Sequence, residues 1–573
     1  MLDIKIIGGD IIDGTGSERY RGDVAIKDGR VVALGKVDEP ARQTIDASGK
    51  VVAPGFVDVH THYDAQVFWD RLLSVSPWHG VTTVVMGNCG FGIAPTRPAD
   101  REIIVQSLER VEGMDPDCLR QGIGEWPFES FPEYLDAIEK RGLGINAGVL
   151  VGHLATRFYV MGEEAIQRHA TDDEIVRMQD IIRSAMRAGA VGFSTSYGGA
   201  HFGYKGLPVA SRFAAYEETR ALADVLADFP GAIFSPNIGE GITLVDLEEI
   251  GSRTNATISW APLITSEVLF QSDHEEQLAQ TAHLASRGLS IAAQFSPKPM
   301  VFAYQFSAPM LFTGMKAFSE VRVADDARKL EIYADPAFRE VFRAEIDGGT
   351  ENFVRAIAKT EIGDGGNDPA LENRTLGEVA QERGVHPIDV ALDLAIASNL
   401  EIRFRMPLGN HLEDRVEPLL HSPHTLISLG DGGAHASQLC DACIPTFVLR
   451  RWVREKRVLS LEEAVRLLTS RPADLYNLAD RGRLMVDRPA DVVVFDPETV
   501  GDGPLRRIFD LPGGGERLVS DGLGVEAVIV NGTLIRQNGE DVVDPEGRLP
   551  GQLLRSKFEP APAPALQTSS SLH

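Results

Sequence analysis

The sequence predicts an α/β protein: a (β/α)8 TIM-type barrel with a small β-sandwich domain formed by the N- and C-terminal segments. Three observations predict it. Eight short apolar runs alternate with segments of helical periodicity. Polar residues gather where those runs end, as at the C-terminal rim of a closed barrel. Strand-like alternation recurs at both extremities of the chain.

The first fifty residues contain DIKIIGGDIID, RGDVAIKDGRVVALG and TIDASGKVVAPG, which read as short strands joined by turns. ADVVVFD (490–496) and VEAVIVNGTLIRQNGE (525–540) return the same pattern, with Asn531-Gly532 as a hairpin turn. The expected division is 1–54 with 482–548 for the sandwich, 55–481 for the barrel and 549–573 for a disordered tail. That tail ends in the low-complexity stretch PAPAPALQTSSSLH.

Within the barrel the expected strands are 55–62, 81–88, 145–153 and 190–196, followed by 232–237, 256–262, 289–296 and 425–431. A doubly wound open sheet is the alternative, but eight strands with polar ends favour closure. One crossover helix is unusually legible. Thr171-Asp172-Asp173-Glu174 supplies a cap-like start, and Ile175, Met178, Ile181, Ile182, Ala185 and Met186 make one apolar face. Over a hundred residues separate the last two strands, too many for a simple crossover, so a helical insertion at about 297–424 is expected to cover the barrel mouth.

Composition narrows the function. A formal net charge of −27 opposes nucleic-acid binding, which needs clustered Lys and Arg. No apolar run reaches the roughly 18 residues of a membrane helix. The first residues, MLDIKIIGGDIIDG, carry no secretory pattern, and four cysteines are too few for a disulfide framework, so a cytoplasmic location is expected. A homo-oligomer is compatible with the sequence.

Residues two apart on a strand share a face, so His60 and His62 both point into the barrel at its rim, where they can hold one metal ion. Asp431, in GDGGAH at the end of the eighth strand, can bind metal or take a proton from water, and the glycines beside it leave room for a ligand. Cys89, in GNCGFG after the second strand, offers a thiolate suited to zinc. His153, ending the third strand, and His201, beyond the fourth, are weaker candidates. His79 reads as structural, as does the isolated Cys440–Cys443 pair. The glycine run of LPGGGERL lacks a following GK[ST] and reads as a mobile loop.

Together these residues resemble the amidohydrolase superfamily, and within it the N-acyl-D-amino-acid deacylase (D-aminoacylase) branch. The resemblance runs through GFVDVHTHYD, HGVTTVVMGNCGFGIAP, WPFESFPEYLDAIE followed by VGHLATR, AGAVGFSTS, RGRLMVDRPADVVVFDP and VIVNG. It implies that His60, His62, Cys89 and Asp431 build a site for divalent metal, zinc in one or two ions. It also implies histidine ligands at the ends of the fifth and sixth strands. Here those places read FSPNIGEG, with Asn237, and ISWAPL, with Trp260. The expectation is therefore a single-ion site on His60, His62 and Asp431 with Cys89 nearby, rather than one that recruits His153 or His201. Asn237, Trp260 and His153 are expected to line the pocket, Trp260 as an apolar wall.

The expected reaction is hydrolysis of a C–N amide bond in a small molecule, with metal-activated water and Asp431 as general base. Two alternatives are a hydrolase of cyclic amides, carbamates or ureas, and a non-catalytic scaffold that kept the barrel.

Overall fold

In the computed structural model, which describes residues 1–266, 273–312 and 314–558, eight parallel strands follow one another in chain order. They are β1 (Phe56–Asp58), β2 (Val81–Met86), β3 (Asn146–Gly152), β4 (Gly192–Ser196), β5 (Ile233–Asn237), β6 (Thr257–Trp260), β7 (Ile291–Phe295) and β8 (Thr425–Ile427). The two outermost strands meet just past their ends. Thr61 bridges Gly432 in parallel register, His62 N–H donates to Gly432 O at 2.7 Å, and Asp431 N–H donates to His60 O at 3.0 Å. The barrel is thus stitched shut by the two segments that carry the candidate metal-binding side chains.

Strand alternation then stacks the interior. On β5, Ile233 is followed at two-residue steps by Ser235 and Asn237; on β7, Ala292 by Gln294; and Leu426 of β8 by Ser428 just past its end. Ile233, Ala292 and Leu426 join Leu150, Tyr476 and Leu478 in one buried apolar cluster. The polar residues lie one layer nearer the C-terminal rim, where a barrel exposes its chemistry.

Helix Asp172–Ala188 forms as its sequence dictates. Thr171 and Glu174 close a capping box, Gly189 ends the helix in a left-handed conformation, and Met178, Ile182, Ala185 and Met186 are buried. The two chain extremities build one nine-stranded mixed sheet, in which Val51–Pro54 pairs with both Leu2–Ile11 and Val492–Phe495. Ile4, Ile6, Val24, Val52, Val492 and Ile529 share its apolar core.

Three regions differ from expectation. The insertion is not purely helical: Met300–Tyr304 and Glu361–Ile362 flank Phe404–Gly409 in an antiparallel sheet. That unit has a core of its own, dense in aromatic rings such as Phe306, Phe312, Phe318 and Phe342. The LPGGGERL stretch is the tip of a hairpin, Arg506–Leu511 with Gly515–Val519, rather than a mobile loop. Arg507 Nε ties it to Asp364 of the insertion at 2.9 Å. The segment from 549 docks instead of dangling. Gly551 bridges Leu143, Leu553 bridges Ala147, and Arg555 reaches Asp136 and Glu139. Backbone hydrogen bonds such as Ser556 N–H to Gly189 O and the edge-on contact of Phe558 with Phe229 add to these, all of them contacts that no periodicity announces. PAPAPALQTSSSLH lies outside the described residues.

Candidate metal centre

The HxH pair is held from below and behind. Asn88, the residue before Cys89, donates its side-chain amide to the carbonyls of Val59, Thr61 and Val85, locking the β1 exit against β2. Cys89 itself adopts a left-handed backbone, φ 52°, uncommon for a side-chain-bearing residue and frequent at functional sites. Asp431 does the same at φ 44°. Its neighbour Gly433 is obligatory, because at φ 89° a Cβ would lie 2.7 Å from His62 O. The glycines after Asp431 therefore let the loop lie against the HxH backbone instead of leaving space for a ligand.

His60, His62 and Cys89 bring their ligand atoms within 4.8 Å of one another, all three side chains buried. Asp431 Oδ1 lies 3.5 Å from His60 Nε2 and 3.7 Å from His62 Nε2. Cys89 Sγ is 3.4 Å from His60 Nε2. Asn237 completes the group by donating its amide to Cys89 Sγ at 3.7 Å.

A residue that the sequence reading passed over fixes the chemistry of His60. Gln294 Oε1 lies 2.6 Å from His60 Nδ1. Its amide nitrogen is committed to Ser259 O, Ser259 Oγ and Tyr476 OH. The oxygen must therefore face the imidazole, Nδ1 carries the proton, and Nε2 presents a lone pair toward Cys89 and Asp431. Burial pushes His60 down to about 4, with Gln294 opposing, and pushes His62 well below its ordinary value with help from His60. Burial raises Asp431 to about 7. Neutral imidazoles, a cysteine sulfur and a reluctant carboxylate around one point form a donor-atom set that a cation can bind, and imidazole with thiolate suits zinc.

The cluster opens into a cavity of about 270 Å³. Phe91, Ile264, Met300, Phe302, Leu311 and Leu408 give it apolar walls, with His201, His435, Gln438 and Arg110 among the polar lining. The insertion supplies much of that wall, consistent with a cover over the barrel mouth.

The other sequence candidates fall elsewhere. His153 does not line this cavity: Nδ1 pairs with Thr195 Oγ1 at 2.8 Å and Nε2 with Glu218 Oε1 at 3.0 Å. Trp260 points away from the barrel centre and donates its indole N–H to Thr281 of helix His274–Ser286 at 3.1 Å. It is no pocket wall, because strand alternation turns Ser259 and Ala261 inward in its place. His79 is held by Thr446 Oγ1 and Ser520 O. Cys440 and Cys443 are buried and free, with Cys443 Sγ donating to Cys440 O.

Comparison with known proteins agrees with this architecture. The amidohydrolase family profile matches residues 43–535. A D-aminoacylase of Alcaligenes xylosoxydans xylosoxydans is 31% identical over 542 residues, 94% of this chain and 95% of the relative. An N-acyl-D-glutamate deacylase from the same organism is 29% identical, covering 98% of both chains. Among solved structures, the N-acyl-D-glutamate deacylase of Bordetella bronchiseptica, complexed with zinc and a phosphonate mimic of the tetrahedral intermediate, superimposes with TM-score 0.65 at 28% identity, covering 97% of this chain and all of that one. The closed eight-stranded barrel, the HxH–Cys cluster at its rim and these full-length matches lead to one assignment: the chain belongs to the amidohydrolase family and is a D-aminoacylase-like hydrolase.

Proposed function

We propose that the chain removes the acyl group from N-acyl-D-amino acids with apolar side chains. One divalent zinc ion would be held by His60, His62, Cys89 and Asp431. The observation that carries this reading is the His60–His62–Cys89 cluster at the base of an apolar cavity, with an Asp431 oxygen facing both imidazoles. A bound divalent ion supplies a Lewis acid for the amide carbonyl and acidifies the attacking water. Asp431 would take the proton from the attacking water and return it to the leaving nitrogen. The walls take the acyl group and the apolar side chain. Arg110, the one Lys or Arg among the described lining residues, meets the α-carboxylate.

A second carboxylate on the substrate would compete with the α-carboxylate for the one guanidinium among the described lining residues. Zinc-replete protein is therefore expected to favour N-acetyl-D-leucine over N-acetyl-D-glutamate in kcat/KM by about tenfold or more, since each 1.4 kcal/mol of lost pairing is a factor of ten. N-acetyl-L-leucine and a cyclic imide complete the panel. Turnover of the imide with none of any D-substrate would replace this reading by the cyclic-amide one.

Gln294 gives an independent check on the ion. Gln294→Leu frees the His60 tautomer and removes the bond that aims the ring, so zinc affinity is expected to fall about 10- to 100-fold. Competition against a chromophoric chelator measures it. Unchanged affinity would remove His60 from the ligand set.

A further inference from the structure

Of the histidines that line the cavity, His60 and His201 have opposite tautomers. His60 turns a lone pair toward it. His201, from the loop after β4, hydrogen bonds to Ser196 through Nδ1 at 2.6 Å. Ser196 is fully buried, and its Oγ already accepts the Gly198 N–H at 3.2 Å. Among the described residues its hydroxyl proton meets no acceptor but Nδ1 of His201. The reverse arrangement would strand a buried O–H, at a cost of about 1–3 kcal/mol. Ser196 therefore donates, and the neutral imidazole carries its own proton on Nε2.

The ring stays neutral: burial first, then the charges of His435 and Arg212, push His201 down to about 3. With Nδ1 engaged on Ser196, Nε2–H is the group left to the cavity that His201 lines. The placement is tight. A Cβ at Gly198 would lie 3.0 Å from both His201 Nδ1 and Asn237 Oδ1. Phe91 meets the His201 ring edge-on at 5.0 Å and lies 6.3 Å from His62. The donor therefore shares one small wall with Asn237, Phe91 and the metal cluster.

We propose that His201 is a catalytic hydrogen-bond donor whose Nε2–H stabilises the oxyanion formed when the amide carbonyl becomes tetrahedral. As the attacking oxygen bonds to carbon, the carbonyl π pair moves onto oxygen and is met by that N–H. No proton changes hands at His201. This rests on the deacylase reading above and adds to it a residue that is not a metal ligand.

The test compares wild type, His201→Ala and His201→Gln, each full-length and zinc-loaded. His201→Ala is expected to keep zinc per chain unchanged and to lower kcat on N-acetyl-D-leucine about 10²- to 10³-fold, the usual effect of one lost oxyanion donor, with KM little changed. His201→Gln, which retains an amide N–H, should recover part of kcat. Loss of zinc in His201→Ala would make the residue a ligand and overturn the proposal, as would an unchanged kcat. Histidine-selective ¹⁵N labelling reads the tautomer without turnover: a His201 signal protonated at Nδ1 overturns the proposal. Protonation at Nε2 with no activity on any N-acyl substrate would instead place the fault in the deacylase reading.

Discussion

Asp431→Asn is expected to lower kcat by about 10²- to 10⁴-fold, the range supplied by a positioned general base, while raising the thermal midpoint of the metal-free protein. The two effects share one cause. Asp431 is a largely enclosed carboxylate, 13% exposed and raised to about 7 by desolvation, at a left-handed φ of 44° that asparagine tolerates well. Its ionised form is unwelcome in the fold and useful to the reaction, the usual bargain of an active site. Asn keeps the shape, loses the basic oxygen and relieves the charge. Rates on N-acetyl-D-leucine and melting of chelator-treated protein measure the two effects. An Asp431→Asn enzyme within threefold of wild type would remove the residue from proton transfer. The double variant His60→Ala, His62→Ala bounds the effect from the other side: no zinc and no turnover are expected, and activity surviving both changes would end the metal-hydrolase reading.

The barrel was legible because each strand announces itself twice, by an apolar run and by the polar residue that ends it. All eight observed strands fall within the expected segments. The metal cluster was legible because its donors sit in short local patterns, HTH and GNCG, whose meaning does not depend on distant contacts. Gln294 was not. It reads as one polar residue in the apolar run LSIAAQFS, and only closure of the barrel brings it 2.6 Å from His60. Trp260 failed for a local reason, since placing it inward ignored the strand parity that turns Ser259 toward Gln294. The sheet in the insertion escaped because Phe404–Gly409 includes Pro407 and follows helical segments, and its partner Met300–Tyr304 lies a hundred residues earlier.

His153 shows the same limit with an energetic consequence. Its partner Glu218 comes from helix Tyr216–Asp224, and Arg157, one turn beyond His153 on helix His153–Met161, pairs with the other Glu218 oxygen. All three are buried, with side-chain exposures of 0% for His153 and Arg157 and 1% for Glu218. Burial opposes ionisation of Glu218, yet His153 and Arg157 together hold its carboxyl below the ordinary value. Arg157 also donates through Nη2 to the carbonyls of Ala165 and Arg168, so both terminal nitrogens of its guanidinium are engaged. Arg157→Met leaves an uncompensated buried carboxylate and is expected to cost about 3–5 kcal/mol. The double variant Arg157→Met, Glu218→Leu removes both charges and should recover most of that loss, because a buried pair replaced by apolar groups of similar size is often neutral. Urea unfolding of metal-free protein measures both. The change also reaches the site: His153 holds Thr195, and Thr195 adjoins Ser196, the residue that sets the His201 tautomer. Arg157→Met should therefore lower kcat even where the fold survives. A single variant as stable as wild type, or a double variant no better than the single, would show that the network is not the buried ion pair its geometry describes.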